Sequence, residues 1–152
     1  MEILIGGKEY IDYCLALAKQ LPQFFTDKAL VQMHSDLQEH TLYVALESYE
    51  VLGFATIFIK NSSVAELTWL VVNPNFQHKH IGISLVEKAE ADLRALDVKF
   101  FTVKTLAATA GDAWYENTIK FYEASGFLLL ETIDPYPGWD PGNPCAIYIK
   151  QL

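Results

Sequence analysis

The chain has little cysteine, few basic residues and no long apolar run, and each shortage excludes a class of protein. Two cysteines, Cys14 and Cys145, are too few for a disulfide framework and favour a reduced, cytoplasmic setting. No apolar run approaches the ~18–20 residues that a membrane span needs, and the opening MEILIGGKEY lacks the features of a secretory signal. Lys and Arg number 11 against 19 Asp and Glu, and the net charge of −8 argues against a nucleic-acid partner.

What the chain does contain is enough apolar material for a packed core. Hydrophobic residues make up 51% and aromatic residues 13% of its 152 positions. A chain of this length and composition is typical of one globular domain with a sizeable core. We therefore expect residues 1–152 to form a single domain.

Hydrophobic periodicity predicts four helices and seven strands in the order βααβββαβαββ. The third helix should bury Leu96 and expose Glu90, and the strand after it should run parallel to the strand before it. The fold class is α/β in the mixed sense: a mostly antiparallel sheet with one parallel pair and flanking helices. The predicted helices are 10–21, 23–39, 81–96 and 114–125, and the predicted strands are 2–5, 41–47, 51–60, 64–72, 98–105, 127–133 and 145–150, the last of which closes the sheet.

The stretch from Glu66 to Ala89 is the most informative part of the chain. An apolar, β-branched strand ends at Asn73-Pro74-Asn75, and a helical period begins at Ile81. Backbone N–H groups at such a strand-to-helix junction point at one spot, where the helix dipole attracts an anion such as a phosphate. Three basic or titratable side chains stand there in an otherwise acidic chain: His78, Lys79 and His80.

Two motifs carry a resemblance to a known family. Val72-x-Pro74-x-x-Gln77 followed by Ile81-Gly82 resembles the acyl-CoA pyrophosphate loop of the GNAT superfamily of N-acetyltransferases, although His80 stands where that family most often has its first Gly. Phe121-Tyr122-x-x-x-Gly126-Phe127 resembles the second GNAT signature. The two motifs occur in the family's order, and the resemblance covers nearly the whole chain.

The resemblance implies an acetyl-CoA-dependent N-acetyltransferase with no metal. Backbone groups of the strand before the loop should pair with the pantetheine arm, and the loop should hold the pyrophosphate. His80 would either crowd the ligand or, when protonated, add a phosphate contact, and we favour the contact. The residues implied to bind the cosubstrate are Leu70, Val71, Val72, Gln77, His78, Lys79, His80, Ile81, Gly82, Ile83, Ser84, Tyr115 and Thr118.

Two side chains are candidates for the chemistry. The resemblance places the hydroxyl of Tyr122 near the thioester sulfur, where it would protonate the leaving thiolate. Ala65-Glu66-Leu67 matches the position where several amine-acetylating relatives carry a Glu, so Glu66 is the candidate base. The plainer alternatives are a buried tyrosine bonded to backbone and a glutamate in a salt bridge.

The acceptor is the part of the function that the sequence leaves open. The resemblance implies that the first two helices form one side of the acceptor cleft, and it leaves a homodimer as an option. The 134–144 loop is a further candidate, because a loop this long is often functional and its aromatic and acidic groups could hold an ammonium group. A second interpretation is an acyl-CoA-binding sensor or regulatory module without efficient transfer. The candidate cleft residues are Phe24, Phe25, Met33, His34, Asp134, Tyr136, Trp139 and Asp140.

Overall fold

The computed structural model describes residues 1–76 and 79–152, and its centre is one seven-stranded sheet. The strands lie in the order β1-β2-β3-β4-β5-β7-β6. They are β1 (Glu2–Gly6), β2 (Thr41–Glu47), β3 (Glu50–Ile59), β4 (Val64–Val72), β5 (Phe100–Leu106), β6 (Leu128–Ile133) and β7 (Cys145–Gln151). All neighbouring pairs are antiparallel except β4 and β5, which are parallel. The mixed α/β fold predicted from the sequence is confirmed.

Four α-helices cover the two faces of the sheet. They are α1 (Ile11–Lys19), α2 (Asp27–Glu39), α3 (Ile81–Ala95) and α4 (Ala113–Ala124). Side chains of α3 and α4 share one core cluster with Leu67 and Phe101, whereas α1 and α2 share a second cluster with Phe54 and Val71. Because side chains alternate along a strand, these clusters lie on opposite faces of the sheet.

Helix α2 begins later than the sequence predicted. The predicted start was near Gln23, but the helix begins at Asp27 because Thr26 caps it. Thr26 Oγ1 accepts a hydrogen bond from the Ala29 N–H at 3.1 Å, which satisfies one of the first-turn donors. Residues 20–26 are therefore free to form the connection between α1 and α2.

Two predictions for helix α3 were wrong. Glu90, predicted to be exposed, is 3% exposed, because Lys150 Nζ reaches its carboxylate from β7 at 2.9 Å and Arg94 lies one helical turn away. Leu96, predicted to be buried, is 68% exposed, because the helix ends at Ala95 and Asp97 turns the chain with a left-handed φ of 63°.

The end of the sheet also differs from expectation. Strand β7 does not close the sheet but inserts between β5 and β6, so the edge strand is β6. Throughout the described ranges, no helix has both the length and the apolar character needed to cross a membrane.

Candidate active site

The main feature of the site is a wedge between the parallel strands β4 and β5. They pair only from Val64–Phe100 to Leu67–Val103, and after that β4 stays with β3 while β5 stays with β7. A bulge in β4 lies at the same level, because Trp69 pairs with Thr56 and Leu67 pairs with Ile57, which leaves Thr68 unmatched. Beyond Leu67 the edge of β4 that faces β5 has no strand partner among the described residues. Such an edge can accept an extended ligand through main-chain hydrogen bonds.

The predicted cosubstrate residues on β4 line this wedge. Leu70, Val71 and Val72 all lie beyond the point of divergence. Val71 is 2% exposed and belongs to the core beside α1 and α2, while Leu70 and Val72 pack partly against the core beside α3. Their side chains pack in the core, so a ligand in the wedge could contact only their backbone groups.

The first turn of α3 opens beside the top of the wedge. His80 is its N-cap, with a left-handed backbone (φ 59°, ψ 24°), and neither a capping side chain nor an acidic residue lies in that turn. Ser84 Oγ donates to the carbonyl of His80 at 2.8 Å, and the exposed Lys79 lies 5.2 Å from the centroid of the Phe76 ring. The turn therefore presents a positive dipole end with basic side chains beside it.

Gly82 lies where the first turn of α3 packs against α4 and β4. A Cβ built on Gly82 would lie 3.4 Å from the Phe121 ring and 3.6 Å from Val72 Cγ2, so helix α4 and the end of β4 meet at this glycine. Ile81 is fully buried beneath it, and Ile83 is half-buried. Gln77 and His78, which the sequence assigned to the same loop, lie outside the described residues.

Tyr122 lies on α4, on the same face of the sheet as α3. It is 6% exposed and packs edge-on against Phe121 and Phe127, with ring centroids 5.5 Å and 5.7 Å away. Among residues 1–76 and 79–152, none makes a hydrogen bond to its hydroxyl. Burial, reinforced by Tyr115, raises the pKa of Tyr122 well above its usual range, so the phenol keeps its proton.

The other two predicted residues of α4 share a side with Tyr122. Tyr115, Thr118 and Tyr122 are spaced three and four apart, so they follow one face of the helix. Tyr115 does more than the sequence suggested, because its hydroxyl donates to the carbonyl of Phe24 at 3.2 Å and its ring meets that of Phe24 edge-on. This contact connects α4 to the α1–α2 connection across the wedge.

Glu66 lies on the opposite face, where β4 and β5 are still paired. It is 8% exposed, and its Oε1 lies 3.0 Å from Lys60 Nζ and 3.2 Å from Lys104 Nζ. The sequence did not indicate either lysine as a partner, because both pairings depend on strand register. Burial alone would lower the pKa of Lys104, but Tyr136 and Glu66 outweigh it, so the pKa is raised and the ammonium stays charged.

A second polar group that the sequence did not indicate surrounds the bulge. His40 Nδ1 lies 2.9 Å from Thr68 Oγ1, and Thr68 Oγ1 donates to the carbonyl of Thr56 at 3.0 Å. Asp36 accepts from Trp69 Nε1 at 2.8 Å and lies 3.6 Å from His40 Nε2. These contacts connect helix α2 to the bulged residues of β4, close to Glu66 in the chain.

The predicted cleft residues divide into those that face this surface and those that do not. Met33 is fully buried in the α1–α2 core and does not line a cleft, and His34 is exposed and bonded to Gln38. Phe25 meets Trp69 edge-on at 5.9 Å. In the 134–144 loop, Tyr136 lies over Lys104 at 5.3 Å and against Trp139 at 5.6 Å, whereas Asp134 and Asp140 are exposed.

Fold and site together define a protein with an opened parallel strand pair, an anion-attracting helix start on one face and a glutamate on the other. A sequence model of the acetyltransferase (GNAT) family matches residues 9–127. The chain therefore belongs to the GNAT acetyltransferase family. Comparison of the sequence with curated proteins finds no match.

Solved structures show the same fold. A GNAT-family protein from Desulfovibrio desulfuricans has a TM-score of 0.86 at 18% identity, over 99% of this chain and 98% of that one. An aminoglycoside 6′-N-acetyltransferase complexed with coenzyme A has a TM-score of 0.76 at 18% identity, over 99% of this chain and 97% of that one. A GNAT acetyltransferase from Elizabethkingia anophelis with acetyl-CoA bound has a TM-score of 0.74 at 17% identity, over 99% of this chain and 97% of that one. Within the described residues, no three His, Cys, Asp or Glu side chains group as metal ligands would.

Proposed function

We propose that this protein is an N-acetyltransferase that moves an acetyl group from acetyl-CoA to a primary amine by direct attack in a ternary complex, with residues 1–152 acting as one domain. The observation that supports this most strongly is the wedge. On one face lies Tyr122, whose hydroxyl has no hydrogen-bond partner among the described residues, and on the other lies the buried Glu66. Both side chains are of the kinds that the reaction needs, because the amine must lose a proton and the thiolate must gain one.

The residues present fit acetyl-CoA. The first turn of α3, with His80 and Lys79 beside it, would hold the pyrophosphate, and the unpaired edge of β4 would bond the pantetheine arm. The hydroxyl of Thr105, on β5 beyond the divergence, is buried and makes no hydrogen bond to any of the described residues, so its bonding capacity is unused there. When bound, acetyl-CoA supplies an activated acetyl thioester. A backbone N–H near Val72 would donate to the carbonyl oxygen as negative charge develops on it.

Tyr122 would act as the acid. Its raised pKa keeps the proton in place at neutral pH, and its hydroxyl has no competing partner among the described residues. Because a phenol with a raised pKa is a weaker acid than a thiol, Tyr122 would assist by donating its O–H hydrogen bond to the sulfur as negative charge develops there and the C–S bond breaks. The remaining α4 residues, Tyr115 and Thr118, would contact the cosubstrate on the same helix face.

Glu66 would act as the base, directly or through a water. Both lysines contact Oε1, which leaves Oε2 to face the incoming amine or the water. The N–C bond then forms as the C–S bond breaks, and the proton released by the amine goes to Glu66.

Direct attack is favoured over transfer through a cysteine. Cys14 and Cys145 are both fully buried, and burial raises their thiol pKa values to about 12 and about 11, so both remain protonated thiols at neutral pH. The thiolate is the nucleophilic form of cysteine.

The alternative is an acyl-CoA-binding module without efficient transfer. One observation favours it: two ammonium groups already engage the carboxylate that would serve as the base. Such a module would bind acetyl-CoA but turn over no amine.

The deciding experiment is calorimetric titration with acetyl-CoA of the wild type and Tyr122→Phe, followed by a panel of primary amines. Stoichiometric binding by both proteins and slower turnover by Tyr122→Phe are expected. Failure of the wild type to bind acetyl-CoA would overturn the acetyltransferase proposal, and binding without turnover of any amine would favour the module.

We also propose that two copies associate through β6. Within the part of the chain that the structure describes, this edge strand pairs with β7 alone, and it exposes three successive leucines, Leu128 (73%), Leu129 (56%) and Leu130 (56%). An unpaired apolar edge is a surface that soluble proteins usually cover. Sedimentation should show a dimer that Leu129→Glu dissociates and Val31→Glu, at an exposed apolar residue of α2, leaves intact. A monomeric wild type would overturn this proposal.

A further inference from the structure

The acceptor face of the wedge carries more positive charge than Glu66 needs. One ammonium group would neutralise its carboxylate, but Lys60 and Lys104 both approach the same oxygen. Each lysine has three N–H donors, so donors remain after the contact with Glu66. This local excess of cations stands out in a chain with a net charge of −8.

The surroundings keep Lys104 charged and oriented. Its side chain is 26% exposed, and the Tyr136 ring lies over the ammonium at 5.3 Å. A partly desolvated cation is stabilised by an anion far more than an exposed one is. A ligand carboxylate that reached Lys104 would therefore gain a strong, charge-assisted contact.

Contacts between connecting segments bring two further parts of the chain toward this surface. Tyr115 donates to the carbonyl of Phe24, which joins α4 to the α1–α2 connection. Lys28 Nζ donates to the carbonyl of Gly138 at 3.4 Å and lies 3.5 Å from Asp140, which joins α2 to the 134–144 loop. These two contacts bring the α1–α2 connection and the 134–144 loop, which carries Tyr136, to the same side of the protein as Lys104.

We propose that the acceptor is a small amine that carries a carboxylate, of the amino-acid class, and that Lys60 and Lys104 bind the carboxylate while Glu66 faces the amine. The cluster pairs one anion with two cations at 3.0 Å and 3.2 Å, which complements a molecule whose ammonium and carboxylate are close neighbours. A polycationic amine, in contrast, would meet two like charges. This inference rests on the proposed acetyltransferase function.

The test uses matched acceptors, namely a panel of free amino acids, the corresponding amino-acid amides and a polyamine. Release of coenzyme A and the mass of the acetylated product give kcat/KM for each. Because a charge-assisted hydrogen bond contributes about 1.5–3 kcal/mol, the free acid should exceed its amide by about tenfold or more. Lys104→Gln and Lys60→Gln should bring this ratio toward one. Lys8→Gln, at an exposed lysine before α1, is the matched control.

The ratio of acid to amide is the deciding readout, since any effect of the lysines on Glu66 lowers both rates together. Equal rates for acid and amide, preference for the polyamine, or a ratio that Lys104→Gln leaves unchanged would overturn the inference. If acetyl-CoA binds by calorimetry while these results are obtained, the inference alone fails. If acetyl-CoA does not bind, the proposed function fails with it.

Discussion

Lys104 Nζ lies 3.2 Å from Glu66 Oε1, on the strand across from it and next to the last paired residues of β4 and β5. The acidic side chain assigned to proton abstraction is thus held at the apex of the wedge by a charged neighbour. The geometry fixes the position of the carboxylate before any ligand arrives, and preorganisation of this kind favours the chemical step.

Glu66→Gln should reduce kcat/KM by about 10²–10⁴, the usual contribution of a general base, and should also lower stability, because it breaks the pairs with Lys60 and Lys104. Glu90→Gln is the matched control, because Glu90 is a buried glutamate with a lysine partner on the opposite face. Breaking that buried pair should cost about 3–5 kcal/mol of folding free energy while the protein that remains folded keeps its activity. Thermal unfolding and steady-state kinetics separate the two effects. Full activity of Glu66→Gln would exclude Glu66 as the base.

Tyr122→Phe should lower kcat by about 10²–10⁴ and leave acetyl-CoA affinity unchanged, because only the transition state uses the proton. Burial raises the pKa of Tyr122, so wild-type activity should not fall through loss of this proton below about pH 10. A pH–rate profile of both proteins checks this. A descending limb near neutral pH that Tyr122→Phe abolishes would contradict the assignment.

Gly82→Ala should separate folding from binding. The new methyl group would be in ordinary van der Waals contact with Phe121 and Val72, and removing a helical glycine stabilises by about 0.5–1 kcal/mol. The same methyl group would also crowd the first turn of α3, where we propose that the pyrophosphate binds. We expect a higher Tm together with weaker acetyl-CoA binding in calorimetry. Unchanged affinity would show that the ligand does not approach this turn.

His80→Gly tests the unusual N-cap. His80 has a left-handed backbone, which costs a non-glycine residue about 1–2 kcal/mol, so the glycine variant should be at least as stable. If the imidazolium contacts phosphate, the wild type should bind acetyl-CoA more tightly at about pH 6 than at about pH 8, and the variant should lose that difference. The same pH dependence in both proteins would rule out the contact.

Thr105→Val removes a buried hydroxyl that has no partner in residues 1–76 and 79–152. Because an unsatisfied polar group costs about 1–3 kcal/mol, the ligand-free protein should become more stable, while acetyl-CoA affinity should fall if the ligand bonds this hydroxyl. Thr102→Val is the control, since Thr102 already donates to the carbonyl of Ala65 at 3.4 Å. Its affinity should stay unchanged. Equal affinities for all three proteins would show that Thr105 does not contact the ligand.

Local pattern was sufficient for much of the fold. Strand β2 has the bounds that alternation predicted, and β4 has those predicted from its apolar, β-branched run between two turns. The parallel pairing of β5 with β4 followed from the strand–helix–strand order. The unusual backbone at His80 also has a sequence signal, because the resemblance places a glycine at that position. A left-handed φ is the physical reason for the glycine.

Contacts between residues far apart in the chain could not be predicted from the sequence. The helical period alone made Glu90 appear exposed, since its lysine partner lies 60 residues away on β7. Lys60 and Lys104 reach Glu66 only because three strands align in one register. The β4–β5 pairing ends at Leu67, next to the bulge at Thr68. Neither the strand register nor the bulge can be recognised from the hydrophobic periodicity of the sequence.

The surface of β4 that faces the wedge consists of main-chain groups. Substitutions of side chains there would leave its hydrogen-bonding groups unchanged. Peptide groups along β4 remain the same whichever side chains stand at those positions, so the surface that would receive the acyl donor tolerates sequence drift. The acceptor face, in contrast, depends on individual side chains such as Lys104 and Tyr136. A lineage could therefore exchange one amine for another through a few substitutions there, while the donor half of the reaction is inherited unchanged.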